Sequence, residues 1–166
     1  EADPDGAGPQ TPRTTETIYN ASGEVVATRY NNDSWTCTEY DSRGRVNRTV
    51  IPQLSQYQHA RTITNDYAVG GNPLITGTTD NTGTITVEND LLGRTIKYID
   101  VHGNVTVNTY SAFGLLTNRS GPLGDEAFVY DQYDRLVDQK LDNTVYAHVT
   151  YDQYGRISDV TYPAAG

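Results

Sequence analysis

Three eight-residue segments of this chain are nearly identical: "EYDSRGRV" at 39–46, "VYDQYDRL" at 129–136 and "TYDQYGRI" at 150–157. In each, a Tyr-Asp pair comes three residues before a Gly or Asp, which is followed by Arg. A motif that recurs within one chain indicates a repeated structural element whose copies pack against one another. This recurrence constrains the fold more than any other feature of the sequence.

Weaker copies of the motif extend the series, and neighbouring copies lie 20 or 21 residues apart. Other turn sequences fall halfway between them, so the basic step is about ten residues: one strand of about six and one turn of about four. Turns twenty residues apart then lie along the same edge of a sheet. The weaker copies are "YNASGEV" at 19–25, "ENDLLGRT" at 88–95 and "TYSAFGLL" at 109–116, and the halfway turns are at 31–34, 80–83, 100–103, 121–125 and 141–144.

Between the turns, apolar and polar residues alternate as in half-exposed strands, and no long window has a helical period with caps. The sequence therefore predicts an all-β chain: meandering antiparallel β-hairpin repeats that form a curved, spiralling sheet. Residues 1–15 are rich in Pro, Gly and acidic residues and predict a disordered or extended lead-in, followed by a repeat array over 16–166. The segment 52–73 carries two Pro and a Gly-Gly pair, which predict an irregular excursion.

The spacing Asp-x-x-Gly is typical of a type I turn followed by a G1 bulge. Asp accepts a backbone N–H two residues on, and Gly takes the left-handed conformation at the fourth position. The Arg that follows is expected to reach its own turn's carboxylate or that of the next repeat, and the Tyr residues are expected to form a row in which each ring leans on the next. The repeat-defining residues are Tyr40, Asp41, Gly44, Arg45, Asp90, Gly93, Arg94, Asp100, Gly103, Tyr110, Gly114, Tyr130, Asp131, Asp134, Arg135, Tyr151, Asp152, Gly155 and Arg156.

Charge and hydropathy exclude two classes of partner. The formal net charge is −9, the pI is about 4.6, and the twelve Lys and Arg are scattered, which argues against nucleic acid. No apolar run approaches the roughly 18 residues of a membrane span, so membrane insertion is not expected. The chain begins with Glu1 and contains no Met, as expected of a processed product or a piece of a longer polypeptide.

Residues that carry chemistry do not form a recognisable set. Cys37 is the only cysteine and is interpreted as a small buried apolar residue. His59, His102 and His148 share no metal-ligand spacing, and no turn offers enough oxygens for Ca²⁺. A glycosidase carboxylate pair among the 21 acidic residues is not singled out by any pattern. We therefore predict no enzyme activity, no catalytic residue, no metal and no cofactor.

The segments "YDSRGRV" and "YDQYGRI" and the ending "DVTYP" resemble the YD repeats of the RHS family, over about residues 16–162. This family includes bacterial polymorphic-toxin and wall-associated proteins, the large subunits of insecticidal toxin complexes, and the teneurins. The resemblance implies β-hairpins that spiral into a curved sheet, which closes into a hollow shell in full-length members. "SGPLGD" at 120–125 is similar to the family's self-cleaving Asp-Pro-x-Gly segment, but Gly121 replaces the Asp and we interpret it as a turn.

These observations favour a non-catalytic structural segment of a large secreted or cell-surface protein, which forms part of a shell or scaffold that encloses or displays another domain. Its partners would be the rest of a larger polypeptide, or other copies of itself through open strand edges. One alternative is a carbohydrate-binding or adhesion module that uses a Tyr-rich face, with glycans as partners. Another is a self-assembling β filament subunit. The face occupied by the Tyr rings separates the structural hypothesis from the binding hypothesis.

Overall fold

The structure, a computed structural model, describes residues 13–56 and 58–163. Within these ranges the chain forms fourteen antiparallel β-strands and one short 3-10 turn, with no α-helix. The predicted all-β meander is confirmed. Most of the predicted lead-in lies outside the described residues, which begin just before the first strand.

The chain divides into two compact units, residues 1–84 and 85–166. In the N-terminal unit each strand pairs with the next one along the chain. Such a meander needs only short connections between neighbouring strands. Its strands are β1 (Thr15–Tyr19), β2 (Val25–Tyr30), β3 (Thr36–Tyr40), β4 (Val46–Ile51), β5 (Arg61–Asp66) and β6 (Ile75–Asp80).

The C-terminal unit follows the same plan, with antiparallel pairing in chain order. Strand β7 begins two residues before the boundary between the units. The strands are β7 (Gly83–Asn89), β8 (Thr95–Ile99), β9 (Val105–Tyr110), β10 (Leu116–Gly121), β11 (Gly124–Tyr130), β12 (Leu136–Leu141), β13 (Thr144–Tyr151) and β14 (Ile157–Thr161).

Each hairpin that carries the motif contains a β-bulge next to its turn. At the turn between β3 and β4, Tyr40 pairs with Val46 but Glu39 pairs with Arg48, so Asn47 is an extra residue on the second strand. A bulge of this kind disrupts the ladder locally and bends the strand. The same one-residue shift occurs on the second strand of the five other motif hairpins, whose first strands are β1, β7, β9, β11 and β13.

The described residues contain almost no core. Among them only Ala27 and Ala147 have buried apolar side chains, Gly77 is also buried, and no polar side chain is. The predicted burial of Cys37 is wrong: it is a free, exposed cysteine, because a strand within a single layer has no second layer to cover it. Stability must therefore come from ladder hydrogen bonds and from contacts between neighbouring hairpins.

The halfway turns at 121–124 and 141–144 are tighter than those that carry the motif. Between β12 and β13, Asp142 and Asn143 both have positive φ, 48° and 67°, as a two-residue type I′ turn requires. The segment at 120–125, which resembled a cleavage segment, is the hairpin turn between β10 and β11, where Gly121 pairs with Gly124. Between residues 52 and 73 lie an isolated bridge (Ser55 with Gln58), strand β5 and the 3-10 turn Val69–Gly71.

Candidate functional site

The turn at residues 41–45 shows how one copy of the motif is built. The Asp41 N–H donates to the Arg45 carbonyl (2.8 Å) and the Gly44 N–H donates to the Asp41 carbonyl (3.0 Å), which closes a type I turn. Asp41 Oδ1 accepts the N–H groups of Arg43 (2.8 Å) and Arg45 (3.0 Å). Asp41 Oδ2 accepts Arg45 Nε (2.8 Å) and pairs with Nη2 (2.7 Å). One carboxylate thus fixes both the backbone and the Arg side chain.

Three other turns repeat these contacts with nearly the same distances. They are Asp90 with Arg94, Asp131 with Arg135, and Asp152 with Arg156, in which the Nη2 to Oδ2 distances are 2.6, 2.6 and 2.7 Å. Each Asp Oδ1 also accepts two backbone N–H groups of its own turn. Gly44, Gly93 and Gly155 have φ of 73°, 78° and 78° at the fourth position, and Asp134 has 60°.

Three further turns keep the backbone and change the side-chain pair. At Asp100 the partner is Asn104, whose Nδ2 donates to Oδ2 (2.9 Å). At Asn20 the pair is reversed, and Asn20 Nδ2 donates to Glu24 Oε2 (2.6 Å). At Ser111 the hydroxyl oxygen accepts both N–H groups, and no Arg follows. The backbone of this turn therefore needs an acceptor at the first position but not the Asp–Arg ion pair.

The carboxylates of these turns are stabilised as anions. The backbone N–H of Arg45 is the largest cause that lowers the pKa of Asp41, while desolvation opposes it. The same kind of N–H donor lowers the pKa of Asp90 and Asp152, and the charge of Arg135 in the preceding turn adds to the effect on Asp152. The Arg135 guanidinium is the main cause of the lowered pKa of Asp131.

Two carboxylates outside the Asp–Arg turns have lowered pKa values as well. The Asn104 side-chain amide is the main cause of the lowered pKa of Asp100. The Thr82 hydroxyl lowers the pKa of Asp80 to about 2, with the Thr82 N–H and Arg61 adding to it. In each case a hydrogen bond to the anion favours the ionised form.

The repeated Tyr joins each hairpin to the one before it. Tyr151 Oη donates to the carbonyl of Leu136, 2.8 Å away, the residue that follows Arg135 and precedes the bulge. We call this arrangement, a Tyr hydroxyl on the carbonyl after the preceding turn, a junction. The described residues contain five: Tyr40 to Val25, Tyr67 to Val46, Tyr110 to Thr95, Tyr130 to Leu116, and Tyr151 to Leu136, at 2.8 to 2.9 Å.

The five junctions share one strand register. In each, the residue two positions after the accepting carbonyl pairs with the residue three positions before the Tyr. For the Tyr151 junction these are Asp138 and His148, whose side chains also meet, with Oδ1 and Nδ1 2.6 Å apart. The corresponding pairs elsewhere are Ala27 with Cys37, Arg48 with Thr64, Lys97 with Val107 and Asn118 with Ala127.

Where the preceding turn carries an Arg, its guanidinium lies over the Tyr ring of the junction. The distance from Arg Cζ to the ring centre is 4.0 Å for Arg45 and Tyr67, 4.6 Å for Arg94 and Tyr110, and 4.3 Å for Arg135 and Tyr151. The expected row of Tyr rings leaning on one another is thus replaced by a guanidinium against each of these rings. Cation–π contacts of this kind contribute about 0.5–1 kcal/mol at exposed sites.

The Gly of the motif also leaves room for the preceding turn. A Cβ at Gly155 would lie 3.4 Å from Arg135 Nη1, and one at Gly114 would lie 3.4 Å from Arg94 Nη1. At Asp134, where a side chain is present, the preceding turn ends in Leu115 instead of Arg. The absence of a guanidinium there leaves room for the Asp134 side chain, but it does not by itself select Asp, because Gly44 also follows a turn that ends in Glu24 instead of Arg.

Not all of the predicted repeat-defining residues lie in a turn that is preceded by a junction Tyr. Asp90, Gly93 and Arg94 follow Asn89 instead of Tyr, and Asn89 Oδ1 accepts the Thr95 hydroxyl. Asp100 and Gly103 form the turn between β8 and β9, which lies at the opposite edge of the sheet from the turns at 90–94 and 111–115.

Sequence reasoning missed Tyr67, which lies in the predicted excursion and is not followed by Asp-x-x-Gly. A signal was present, because "NDY" at 65–67 parallels "NTY" at 108–110. Asn65 Nδ2 donates to the Val46 carbonyl and Asn108 Nδ2 donates to the Thr95 carbonyl, each at 2.9 Å. These are the same carbonyls that accept Tyr67 and Tyr110.

The described residues hold no group of three or more His, Cys, Asp or Glu that is arranged to bind a metal ion. His102 lies in the Asp100 turn and His148 pairs with Asp138. No helix in the described part of the chain has the length and hydropathy that crossing a membrane requires.

No protein-family profile matches this chain, and no curated protein sequence matches it significantly. Among solved structures it is similar to a crystal structure of TcdB2-TccC3, with a TM-score of 0.49 and 16% identity over 89% of this chain. It is also similar to TcdB2-TccC3-Cdc42, with a TM-score of 0.45 and 16% identity over 85% of this chain. A third similar structure is the Photorhabdus luminescens Tc holotoxin pore, with a TM-score of 0.27 and 11% identity over 89% of this chain.

The chain spans 10%, 10% and 7% of those three solved chains, respectively. The matches do not establish the family that the YD motif resembles, and membership stays a prediction.

Proposed function

We propose that this chain is a non-catalytic structural repeat segment of a large secreted or cell-surface YD-repeat protein. In this proposal the sheet forms part of a shell or scaffold that encloses or displays another domain. Its partners are then the remainder of a larger polypeptide or, through open strand edges, other copies of the chain.

The observation that carries the proposal is the use made of the motif residues. The Asp holds its own turn and Arg, the Arg lies over the next Tyr, and the Tyr hydroxyl is bound to a backbone carbonyl. Three of the most distinctive side chains of the repeat are therefore engaged in joining hairpins. A catalytic or ligand-binding role would require some of these side chains to be free to contact a substrate or ligand.

A deletion in register tests this proposal. Removal of Ser111–Tyr130 deletes one whole period of about 20 residues and joins Tyr110 directly to Asp131. The Tyr110 and Tyr151 junctions and the Asp131 turn are retained, so we expect a folded β protein with cooperative unfolding and lower stability.

The matched control removes residues 111–120, about half a period, which places the Asp131 turn at the opposite edge of the sheet and separates it from its neighbours. This variant should lose cooperative unfolding by far-UV circular dichroism. Equal behaviour of the two deletions would refute the structural proposal. We also expect no turnover of polysaccharides or peptides, and no change in the unfolding midpoint on addition of EDTA.

A second candidate function, carbohydrate binding, is favoured by a different set of exposed, mostly aromatic residues. The junction Tyr rings are half-buried, whereas one side chain at the tip of each successive turn is exposed. Along one edge of the C-terminal unit the tips carry Leu92, Phe113, Tyr133 and Tyr154, which are 78%, 82%, 68% and 73% exposed. Adjacent tips are separated by two strands, or about 10 Å.

The role of these exposed turn-tip residues can be tested with an exposed apolar residue at the opposite ends of the strands as the control. In this candidate function, replacing Phe113, Tyr133 and Tyr154 together with Ala removes retardation of the protein in gels that contain a soluble β-linked polysaccharide. Leu123→Ala, at a residue that is 92% exposed in the turn between β10 and β11, should have no effect. Absence of retardation for the unaltered chain would eliminate this candidate.

A further inference from the structure

Strand β14 begins with the half of a junction that would accept a Tyr hydroxyl, namely the carbonyl that follows an Asp–Arg turn. Ile157 follows Arg156 and precedes the bulge residue Ser158, as Leu136 follows Arg135 and precedes Val137. The Asp152 turn matches the Asp131 turn contact for contact. The Arg side chains differ in exposure, 74% for Arg156 against 29% for Arg135, since Arg135 is covered by Tyr151.

Among the described residues, no strand pairs with the outer side of β14. All five residues of β14 are exposed, and the strand pairs with β13 on one side. An edge strand of this kind presents N–H and C=O groups that can pair with another strand. The shared register of the five internal junctions then fixes where an added strand would lie.

That register places one acidic residue opposite a defined position of the added strand. Two positions after the accepting carbonyl of Ile157 is Asp159, which must face the residue three positions before the incoming Tyr. At the preceding junction the corresponding residues are Asp138 and His148, whose side chains meet at 2.6 Å. Asp159 is the counterpart of Asp138, so a His, Lys or Arg at the facing position is favoured because it can donate to or pair with the carboxylate.

The first strand of a second copy does not carry such a residue. Its Tyr19 is 61% exposed and precedes an Asn-x-x-Gly turn, but the residue three positions before it is Glu16. The register would place Glu16 opposite Asp159, and like charges directly opposite one another destabilise a strand pair. Glu16 already pairs with Arg29 within its own hairpin.

We propose that the β14 edge is a binding site for a strand of the form (His, Lys or Arg)-x-x-Tyr-Asp-x-x-Gly. The Tyr hydroxyl donates to the Ile157 carbonyl, Arg156 lies over its ring, and Asp159 pairs with the basic residue. The Gly lets the incoming turn approach Arg156 as Gly155 approaches Arg135. This inference rests on the proposed function, because it extends the internal junction to a strand from outside the described sheet.

The probe is a capped peptide that copies residues 144–156, "TVYAHVTYDQYGR", which carries His and Tyr at the required spacing. Titration into the isotope-labelled full chain should give saturable amide shifts confined to Ile157–Thr161 and to the Arg156 side chain. Glu in place of the His of the peptide should weaken binding by up to about fivefold. Phe in place of the Tyr at the eighth peptide position, the equivalent of Tyr151, should weaken it by about two- to tenfold.

Protein variants provide the reciprocal test. Asp159→Asn should make the His and Glu peptides bind equally, and Arg156→Ala should weaken both. Asp33→Asn, in an exposed segment of the N-terminal unit, is the control and should change neither. The inference is overturned by the absence of saturable shifts at 157–161, by equal binding of the two peptides to the unaltered chain, or by equal shifts at strand β1.

Self-association is a separate outcome. If the unaltered chain forms dimers by sedimentation, and the amide shifts on dimerisation lie at 157–161 and persist unchanged in Asp159→Asn, the edge accepts a second copy in another register and the inference is wrong. Failure of the peptide to bind leaves the deletion test untouched, because that test reports on internal junctions alone.

Discussion

Two junctions reach the same geometry from different sequences. At Tyr151 the Tyr belongs to a full motif and is followed by Asp152 and Gly155. At Tyr67 it is followed by Ala68 and a 3-10 turn. Yet Tyr67 Oη lies 2.9 Å from its carbonyl and its ring centre 4.0 Å from Arg45 Cζ, against 2.8 and 4.3 Å at Tyr151. The junction therefore depends on the preceding turn and on strand register, and not on the turn that follows.

The largest loss of stability is expected when the Tyr side chain of either junction is removed. Tyr67→Ala and Tyr151→Ala should each lower the free energy of unfolding by about 2–3 kcal/mol, through loss of one hydrogen bond and of a half-buried ring. Tyr154→Ala, at an exposed turn tip, should have little effect. Guanidinium unfolding followed by circular dichroism measures all three. A Tyr67→Ala variant as stable as Tyr154→Ala would show that the excursion contains no working junction.

The next variant addresses the turn that Tyr151 has and Tyr67 lacks. Gly155→Val should lower the free energy of unfolding by about 1–2 kcal/mol, because a β-branched residue is strained at a φ of 78°. Gly93→Val has the same φ but no atom within 4 Å of the added Cβ, so it should cost less than Gly155→Val, where Arg135 must also move. Unchanged midpoints in both variants would indicate a different turn type in solution.

A smaller effect is expected at the one motif position that carries Asp instead of Gly. Asp134→Gly should stabilise the chain by about 0.5–1 kcal/mol by relieving the left-handed conformation. Adding Leu115→Arg should stabilise this variant further, since the new guanidinium can lie against the substituted position as Arg135 lies against Gly155. In the chain that retains Asp134, Leu115→Arg should increase the free energy of unfolding by a smaller amount. Equal gains in the two backgrounds would mean that the Gly and the preceding Arg are not coupled.

The smallest change per turn is expected from protonation. The pKa of each turn Asp is lowered on folding, so its stabilising contribution is present above the ordinary unfolded pKa of about 3.9 and is lost as pH falls through the folded value. Carboxyl NMR titration should give pKa values below the ordinary range for Asp41, Asp131 and Asp152, and a pKa of about 2 for Asp80. The Ser111 turn provides the control, because its amide shifts should not follow a carboxyl titration as the pH falls through about 3.9.

Local chemistry explains which parts of the fold could be predicted. The turn around Asp41 is fixed within a single copy of the motif by two N–H groups, one carboxylate and one left-handed Gly, so its sequence is sufficient to predict it. The ten-residue period then predicts the meander. The junction was not predictable in the same way, because the carbonyl that accepts Tyr151 is 15 residues away and belongs to a different copy of the motif, at Leu136 beside the bulge.

Tyr67 also shows that local sequence alone does not predict a junction. Its motif is absent, and only the register set by β4 and β5 brings it to Val46. The predicted burial of Cys37 failed for a different reason. Alternation predicts which residues share a face but does not predict whether a second layer covers that face.

The near-absence of buried residues has a thermodynamic consequence. The change in heat capacity on unfolding grows with the apolar surface that becomes newly hydrated, and so does the steepness of denaturant unfolding. A sheet in which, among the described residues, only Ala27 and Ala147 bury an apolar side chain has little such surface to expose. Its stability curve should be flatter with temperature than that of a globular domain of equal length, and its denaturant transition broader. Moderate cooling would then leave its stability nearly unchanged.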